Sequence, residues 1–314
     1  MDVLDLDRFE ASRNRLASLA YRLLGSAVDA EDAVQDAFLS WQAADRGRIE
    51  SPEAWLTKVV TNLCLDRLRS ARARRERSAG AWLPELLLDG DPMLGPAETV
   101  AQRESVSLAV LLLMERLSPV ERAVYVLYEA FSYRHGEVAE ILDISESASQ
   151  QHLHRARRRV AAAQARDRNE VDPASARRII EEFLAAAVSG RVDRLVPLLT
   201  DDATAISDGA GLTQTLLRYD TPDRIAAIAR AGFQPTPAKR RMAGGTPAIH
   251  YALVNGAPGI LVVVGDHVVG AVTFDLADGK ITTVRGIAAP ARLIRLTESW
   301  RHHGGAGAPL IAEW

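Results

Sequence analysis

Apolar residues recur at helical spacing through the first half of the chain and in alternating or continuous runs through much of the second. Leu16, Leu19, Ala20, Leu23 and Leu24 share one helical face. Beyond Gly25 a second helix is predicted, with Asp29 as its cap, Glu31 and Asp32 in its first turn, and Val34, Phe38 and Trp41 on one side. A third starts at Ser51–Pro52 and carries Trp55, Leu56, Val59, Leu63 and Leu68, while its polar positions turn basic toward the end. A second helical unit runs from about Glu104 to Ala163, and Ser118, Pro119 and Glu121 form a capping-box pattern inside it. From Val171 two short helices lead into a strand. β-rich runs follow, broken at Asn255–Gly256, Gly265–Asp266 and Asp278–Gly279, which suits hairpins. The last dozen residues, rich in glycine, read as a flexible tail.

Composition and charge narrow the picture. A chain of 314 residues suggests two or three domains, and 25% charged residues is ordinary for a globular protein. The net charge of −3 rules out a polycation, so any nucleic-acid contact must come from local clusters. Basic charge gathers at Arg67–Arg77 and Arg155–Val160; between Ser78 and Ala130 acids outnumber bases eight to three. Cys64, the single cysteine, lies in an apolar helical pattern and reads as a core residue, so a disulfide framework and a cysteine zinc site are excluded within one chain. His302 and His303 have no third ligand near in sequence, and neither a metal nor a cofactor is expected. The N-terminus lacks the features of a signal peptide and no apolar run is long enough to cross a bilayer, so a cytoplasmic protein without a membrane partner is expected.

The stretch from Glu137 to Val160 has the layout of a helix-turn-helix. Val138, Ala139, Ile141 and Leu142 give the first helix an apolar side, Asp143–Ile144–Ser145 is the turn, and Ser145 caps the second helix. On that second helix Ser149, Leu153, Ala156 and Val160 share a face. Ser147, Gln150, Gln151 and His154 are the candidates for reading bases, and Arg155 and Arg158 for holding phosphates. On this segment alone two readings stand: a DNA-reading helix and a solvated basic surface helix.

Two longer stretches add to this. "LLGSAVDAEDAVQDAFLSW" followed by "SPEAWLTKVVTNLCLDRLRSARARRE" resembles region 2 of bacterial extracytoplasmic-function sigma factors, and "LSPVERAVYVLYEAFSYRHGEVAEILDISESASQQHLHRARRRV" resembles their region 4. The resemblance implies a promoter-recognition factor that binds core RNA polymerase through its largest and second-largest subunits, and promoter DNA. Asp29, Asp32, Gln35 and Asp36 would contact polymerase. Asn62, Asp66, Arg67, Arg69 and Arg72 would engage the −10 element, with a pocket for an unstacked base near the loop before Pro52. The helix from Glu146 to Val160 would read the −35 element. The run Ala148–His152 departs from the β-branched and basic residues usual there.

The remainder resembles a SnoaL-like (polyketide-cyclase-like) domain: "AWLPELLL" is similar to the linker of a sigma-factor subgroup carrying such a domain, and Asp208–Gly209 stands in its Asp-Gly-Gly-Gly turn, with Ala210 in place of a glycine. The implied fold class is two all-α sigma domains, a region 2 bundle and a region 4 helix-turn-helix, plus an α+β cone-shaped domain with a curved antiparallel sheet. The expected division is 1–77 for region 2, 78–104 for an acidic linker, 105–165 for region 4, 170–300 for the SnoaL-like domain and 301–314 for the flexible tail. Trp82, Leu83 and Pro84 of the linker, with Asp208 and Gly209, are the expected interdomain residues. The acidic linker would lie in the basic groove of the −10 helix, and linker and C-terminal domain would modulate activity in cis. The cone leaves room for a small ligand. Asp208, His250, Tyr251 and Asp266 are acid–base candidates by type only, so no catalytic residue is assigned. A DNA-binding regulator independent of polymerase, and an enzyme with a DNA-binding appendage, are the competing readings.

Overall fold

The computed structural model describes residues 3–75, 83–95, 106–164, 171–213, 215–303 and 307–314. The chain forms two compact units: Met1–Glu85 with Gly90–Ala163, and Leu86–Asp89 with Gln164–Trp314.

The first unit is helical. It holds α1 (Val3–Leu24), α2 (Ala27–Ala43), α3 (Pro52–Arg75), α4 (Leu108–Met114), α5 (Pro119–Tyr125), continued by a π-helical turn over Val126–Ala130, α6 (His135–Leu142) and α7 (Glu146–Gln164). The apolar stripes read from the sequence are buried: Leu16, Leu19 and Leu23 on α1, Trp41 on α2, Leu56 and Cys64 on α3. Burial pushes the Cys64 thiol pKa up, as befits a core residue. Helix α2 begins earlier than expected. Ser26 is its cap, accepting from the Asp29 amide at 3.2 Å, so Asp29 lies in the first turn rather than at the cap. Ser118 and Glu121 close the capping box on α5.

The two helical segments, expected as separate domains, pack into this one unit. Helix α3 lies against α5 and α6. Arg122 of α5 is buried and donates to the Leu23 carbonyl of α1 at 2.8 Å and the Met114 carbonyl at 3.0 Å. Arg22, 2% exposed, donates to the Leu94 carbonyl at 2.8 Å, and burial lowers its pKa to about 10. Sequence periodicity marks apolar stripes; it gives no sign that an arginine will be buried on backbone carbonyls.

The second unit opens with α8 (Pro173–Val188) and α9 (Val192–Leu195). A six-stranded sheet follows: β1 (Leu199–Ser207), β2 (Leu217–Tyr219), β3 (Ala248–Val254), β4 (Ala257–Val264), β5 (His267–Ala277) and β6 (Lys280–Ile287), in the order β2-β1-β6-β5-β4-β3. Helices α10 (Pro222–Phe233) and α11 (Pro237–Ala243) precede β3, and α12 (Ile294–His303) follows β6. Every pairing is antiparallel except β1 with β6, which run parallel because β1 is returned to the sheet through α10, α11 and the hairpin strands. Positive φ at Asn255–Gly256, at Gly265 and at Asp278–Gly279 supplies the tight turns of the hairpins β3–β4, β4–β5 and β5–β6. Phe183 and Leu184 of α8, Ile225 and Phe233 of α10, and Ile249, Ile260 and Phe274 of the sheet build one core.

Two features differ from the sequence reading. The last residues are not free: Ile311 bridges to Ile249 on the edge strand β3, and Trp314 is buried in the core cluster. Glycine content suggested a loose tail, but Leu310, Ile311 and Trp314 supply enough apolar surface to dock it. Asp208 is likewise an internal brace. Its buried carboxylate accepts from the amides of Ala210, Ala288 and Ala289 at 3.0, 3.0 and 2.9 Å, which ties the end of β1 to the end of β6. A Cβ on Gly209 would lie 2.8 Å from the Thr213 hydroxyl, and Ala210 stands in the left-handed region at φ 56°.

Adjacent substitutions here are expected to act with opposite sign. Asp208→Ala strands buried amides and costs about 2–4 kcal/mol. Ala210→Gly relieves the left-handed alanine and gains about 1 kcal/mol. Thermal unfolding of the full chain checks both: the midpoint falls with the first and rises with the second, and a fall with both would refute the account of Ala210.

Candidate nucleic-acid interface

Helix α7 presents the face that the helix-turn-helix reading requires. Ser149, Leu153, Ala156 and Val160 are buried against the unit, so Ser147, Gln150, Gln151, His154, Arg155 and Arg158 face solvent. The turn is set by Asp143, which ends α6 at φ 53°, and by Ser145, whose hydroxyl accepts from the Ala148 amide at 3.1 Å. His135 at the start of α6 meets the Ser149 hydroxyl at 2.9 Å and stacks on Tyr128, fixing the two helices to each other.

The arginines of α7 are not equivalent. Arg155 and Arg159 both reach the buried Glu121, at 3.2 and 2.6 Å. Burial opposes ionisation of Glu121, but hydrogen bonds from Ser118 and the Arg159 and Arg155 guanidiniums outweigh it and hold the carboxyl below its usual range. Arg157 pairs with Glu129 at 2.6 Å and lies over the Tyr128 ring. Among the described residues Arg158 has no such acidic partner. Arg155, read from the sequence as equal to Arg158, is therefore already half-engaged.

On α3, Asn62, Asp66 and Arg69 form an exposed stripe, with Arg69 paired to Asp66 at 3.0 Å. Arg67, read as a phosphate contact, points elsewhere: it binds Asp36 of α2 at 2.6 Å and the Asp29 carbonyl at 3.0 Å. Its spacing from Asn62 puts it off the stripe and toward α2. Arg72 lies on α3 with its side chain outside the described residues, and Trp82 lies outside them altogether. Beside the start of α3 is an open groove of about 520 Å³ lined by Asp45, Arg48, Ile49, Glu50 and Trp55. Trp55 edges this groove and packs against the buried Trp41, with ring centroids 5.7 Å apart.

Three features escaped the sequence reading, the first of them in part, since Asp32 and Gln35 were expected there and Val28 and Leu39 were not. Val28, Asp32, Gln35 and Leu39 fall on one exposed stripe of α2, with Val28 61% and Leu39 55% exposed. The helical spacing of these apolar residues with Asp32 and Gln35 was the available signal. Glu85 of the linker closes the start of the same helix: its carboxylate accepts from the Ala27 amide at 2.6 Å, and its own amide donates to the Gly25 carbonyl at 2.8 Å. The linker acid Glu85 thus serves a helix N-terminus rather than the basic groove of α3. Lys58 of α3 binds Asp143 and the Glu140 carbonyl at the end of α6, at 2.6 and 2.9 Å. No local pattern announces either long-range pair.

Leu83 and Pro84 are buried. The next residues, Leu86–Asp89, belong to the second unit: Leu87 exchanges hydrogen bonds with the buried Asn255, and the Asp89 amide donates to the Leu253 carbonyl at 3.0 Å. The acid–base candidates of that unit do not converge. Asp208 is a brace, His250 and Tyr251 are consecutive on β3 and so point to opposite faces, and Asp266 is exposed and paired with Arg301.

Comparison with known proteins agrees with this geometry. The family models for Sigma-70 region 2 and Sigma-70 region 4 match residues 8–74 and 107–160. The ECF RNA polymerase sigma factor SigJ of Mycobacterium tuberculosis is 41% identical over 215 residues, covering 68% of each chain. The probable ECF RNA polymerase sigma factor SigI of the same species is 30% identical over 290 residues, covering 91% of this chain and 93% of its own. The crystal structure of the M. tuberculosis SigJ superimposes with a TM-score of 0.67 at 31% identity, over 91% of this chain and 97% of that one. Among the described residues no helix is long and apolar enough to cross a membrane.

Proposed function

The chain belongs to the extracytoplasmic-function RNA polymerase sigma factors and directs promoter-specific transcription initiation, and from that premise we propose how its faces divide the work. The observation that carries the assignment is the solvent-facing polar side of α7, held by its turn within the same unit as the exposed stripe of α3. Helix α7 reads the −35 element, with Gln150, Gln151 and His154 toward base edges and Arg158 on phosphate. The α3 stripe Asn62–Asp66–Arg69 and the groove at Trp55 engage the −10 element and one unstacked base. The stripe Val28–Asp32–Gln35–Leu39, with Asp29 and Asp36 at its margin, docks on the large subunits of core polymerase. Exposed apolar residues among polar ones are what a protein interface needs at its centre. The chain acts in the cytoplasm, where its polymerase is.

Cis control is the second part of the reading. Glu85 secures the N-terminus of α2, and the residues that follow it pair with β3 of the second unit. One short segment therefore joins the polymerase-facing helix to the sheet of the C-terminal domain, which supports modulation by linker and domain together.

Full-length protein should capture core polymerase, and Leu39→Asp should reduce capture at least tenfold while leaving the fold intact; undiminished capture by a folded Leu39→Asp would move the interface elsewhere. On promoter DNA, the pair with the buried Glu121 competes with phosphate for Arg155, and among the described residues no such pair competes for Arg158. Arg158→Ala should thus weaken binding to all sequences and reduce the log–log salt slope by about 1, with a smaller effect from Arg155→Ala. Equal slopes for the wild type and Arg158→Ala would remove Arg158 from the interface. Deleting residues 170–314 while keeping the linker should change promoter-dependent transcription, and identical transcription across ionic strengths would end the cis reading.

A further inference from the structure

Residues 310–314 end in a seat that the second unit builds for one side chain. The Trp314 indole N–H donates to the Phe233 carbonyl at 2.5 Å, a group left over where α10 ends. Its main-chain amide donates to the Pro247 carbonyl at 2.8 Å, and its main-chain oxygen accepts from Arg240 Nε at 2.9 Å. The Lys239 ammonium lies 5.8 Å from the ring centroid, within cation–π range. Trp314 is 7% exposed and packs in the core cluster that contains Phe233 and Ile249.

The seat is held in place without the tail. Lys239 is fixed by the carbonyls of Ala231, Gly232 and Gln234, the last two at 3.1 and 2.7 Å. Arg240 and Phe233 are parts of helices. Among the described residues the tail's main-chain bonds to β3 fall on one residue: Ile249 donates to Ile311 and accepts from Leu310, both at 2.8 Å. Between α12 and Leu310 the sequence reads Gly-Gly-Ala-Gly-Ala-Pro, with no side chain large enough to anchor it. Trp314 is therefore placed like a ligand on a tether rather than like a residue of a helix or strand.

We propose that the site formed by Phe233, Lys239, Arg240, Pro247 and Ile249 binds a planar heteroaromatic ligand of the indole class, and that Trp314 occupies it as a tethered internal occupant that such a ligand displaces. The acceptor at Phe233 selects a ring N–H, the Lys239 cation selects an electron-rich ring, and Arg240 and the Pro247 carbonyl select a substituent that carries an acceptor oxygen beside an N–H. Edge strand β3 carries the tail at Ile249 and Leu87–Asp89 at Leu253–Asn255, so an exchange at the seat is felt on the strand that holds the linker segment. This goes beyond promoter recognition and does not depend on it.

The probe is N-acetyltryptophanamide, an indole with the N–H and C=O groups of a tryptophan residue. Trp314→Ala in the full chain should bind it saturably by calorimetry, and adding Lys239→Met should weaken binding about threefold to tenfold. In the wild-type chain a short tether sets an effective concentration of about millimolar, so tens of millimolar probe should release the tail. Release is read as faster hydrogen exchange at the Ile249 amide and in residues 307–314. A folded Trp314→Ala chain that binds no probe overturns the proposal. So does wild-type exchange that probe leaves unchanged, and this second arm decides alone if Trp314→Ala does not fold.

Discussion

The C-terminal turn of α1 ties the first unit together. A helix ends with carbonyls that have no partner within it, and buried ones must be satisfied from elsewhere. Here the Leu23 carbonyl takes Arg122 from α5, and the Gly25 carbonyl takes the Glu85 amide from the linker. The Tyr21 hydroxyl adds a bond to the Glu85 carbonyl at 2.7 Å. Three segments distant in sequence meet on one turn, and that meeting places α2 and its exposed stripe. Losing Arg122 would remove its bonds to the Leu23 and Met114 carbonyls at once, a change more costly than losing a surface ion pair.

The same unit sets how its charges are used. Arginine-rich stretches look uniform in sequence, yet on α7 three of the four arginines between Arg155 and Arg159 are matched to acids of the same unit. On α3, Arg67 is drawn to the acidic side of α2. Among the described residues, free positive charge on these two helices is thereby concentrated at fewer points than the sequence suggests. Lys58 and Arg15 also hold the start of α3 close to the helix-turn-helix, Arg15 through the Tyr133 hydroxyl at 2.6 Å.

In the second unit the edge strand β3 is where the tail and the linker segment both pair. An exposed edge invites pairing with another chain. This one is occupied at Ile249 by the tail and at Leu253–Asn255 by the linker segment. Asp208 braces the opposite half of the sheet, where the chemistry of a carboxylate in a turn could be mistaken for a catalytic group.

The sequence by itself determined the helices of the first half, the helix-turn-helix with its buried and exposed faces, and the hairpin strands of the second. Each rests on short-range rules: apolar spacing, the Ser118–Glu121 box, left-handed turns at Asn255–Gly256 and Asp278–Gly279. It also carried the family resemblance, because those motifs are contiguous. Only the tertiary structure decided that Arg67 and Arg155 have acidic partners, that Glu85 caps α2, that Asp208 is a brace and that Trp314 is buried. All of these join residues far apart along the chain, or, for Asp208, backbone amides that no side-chain pattern records. Periodicity reports what a residue's neighbours in sequence require of it, whereas a buried charge or a docked tail is fixed by the partner that desolvates it.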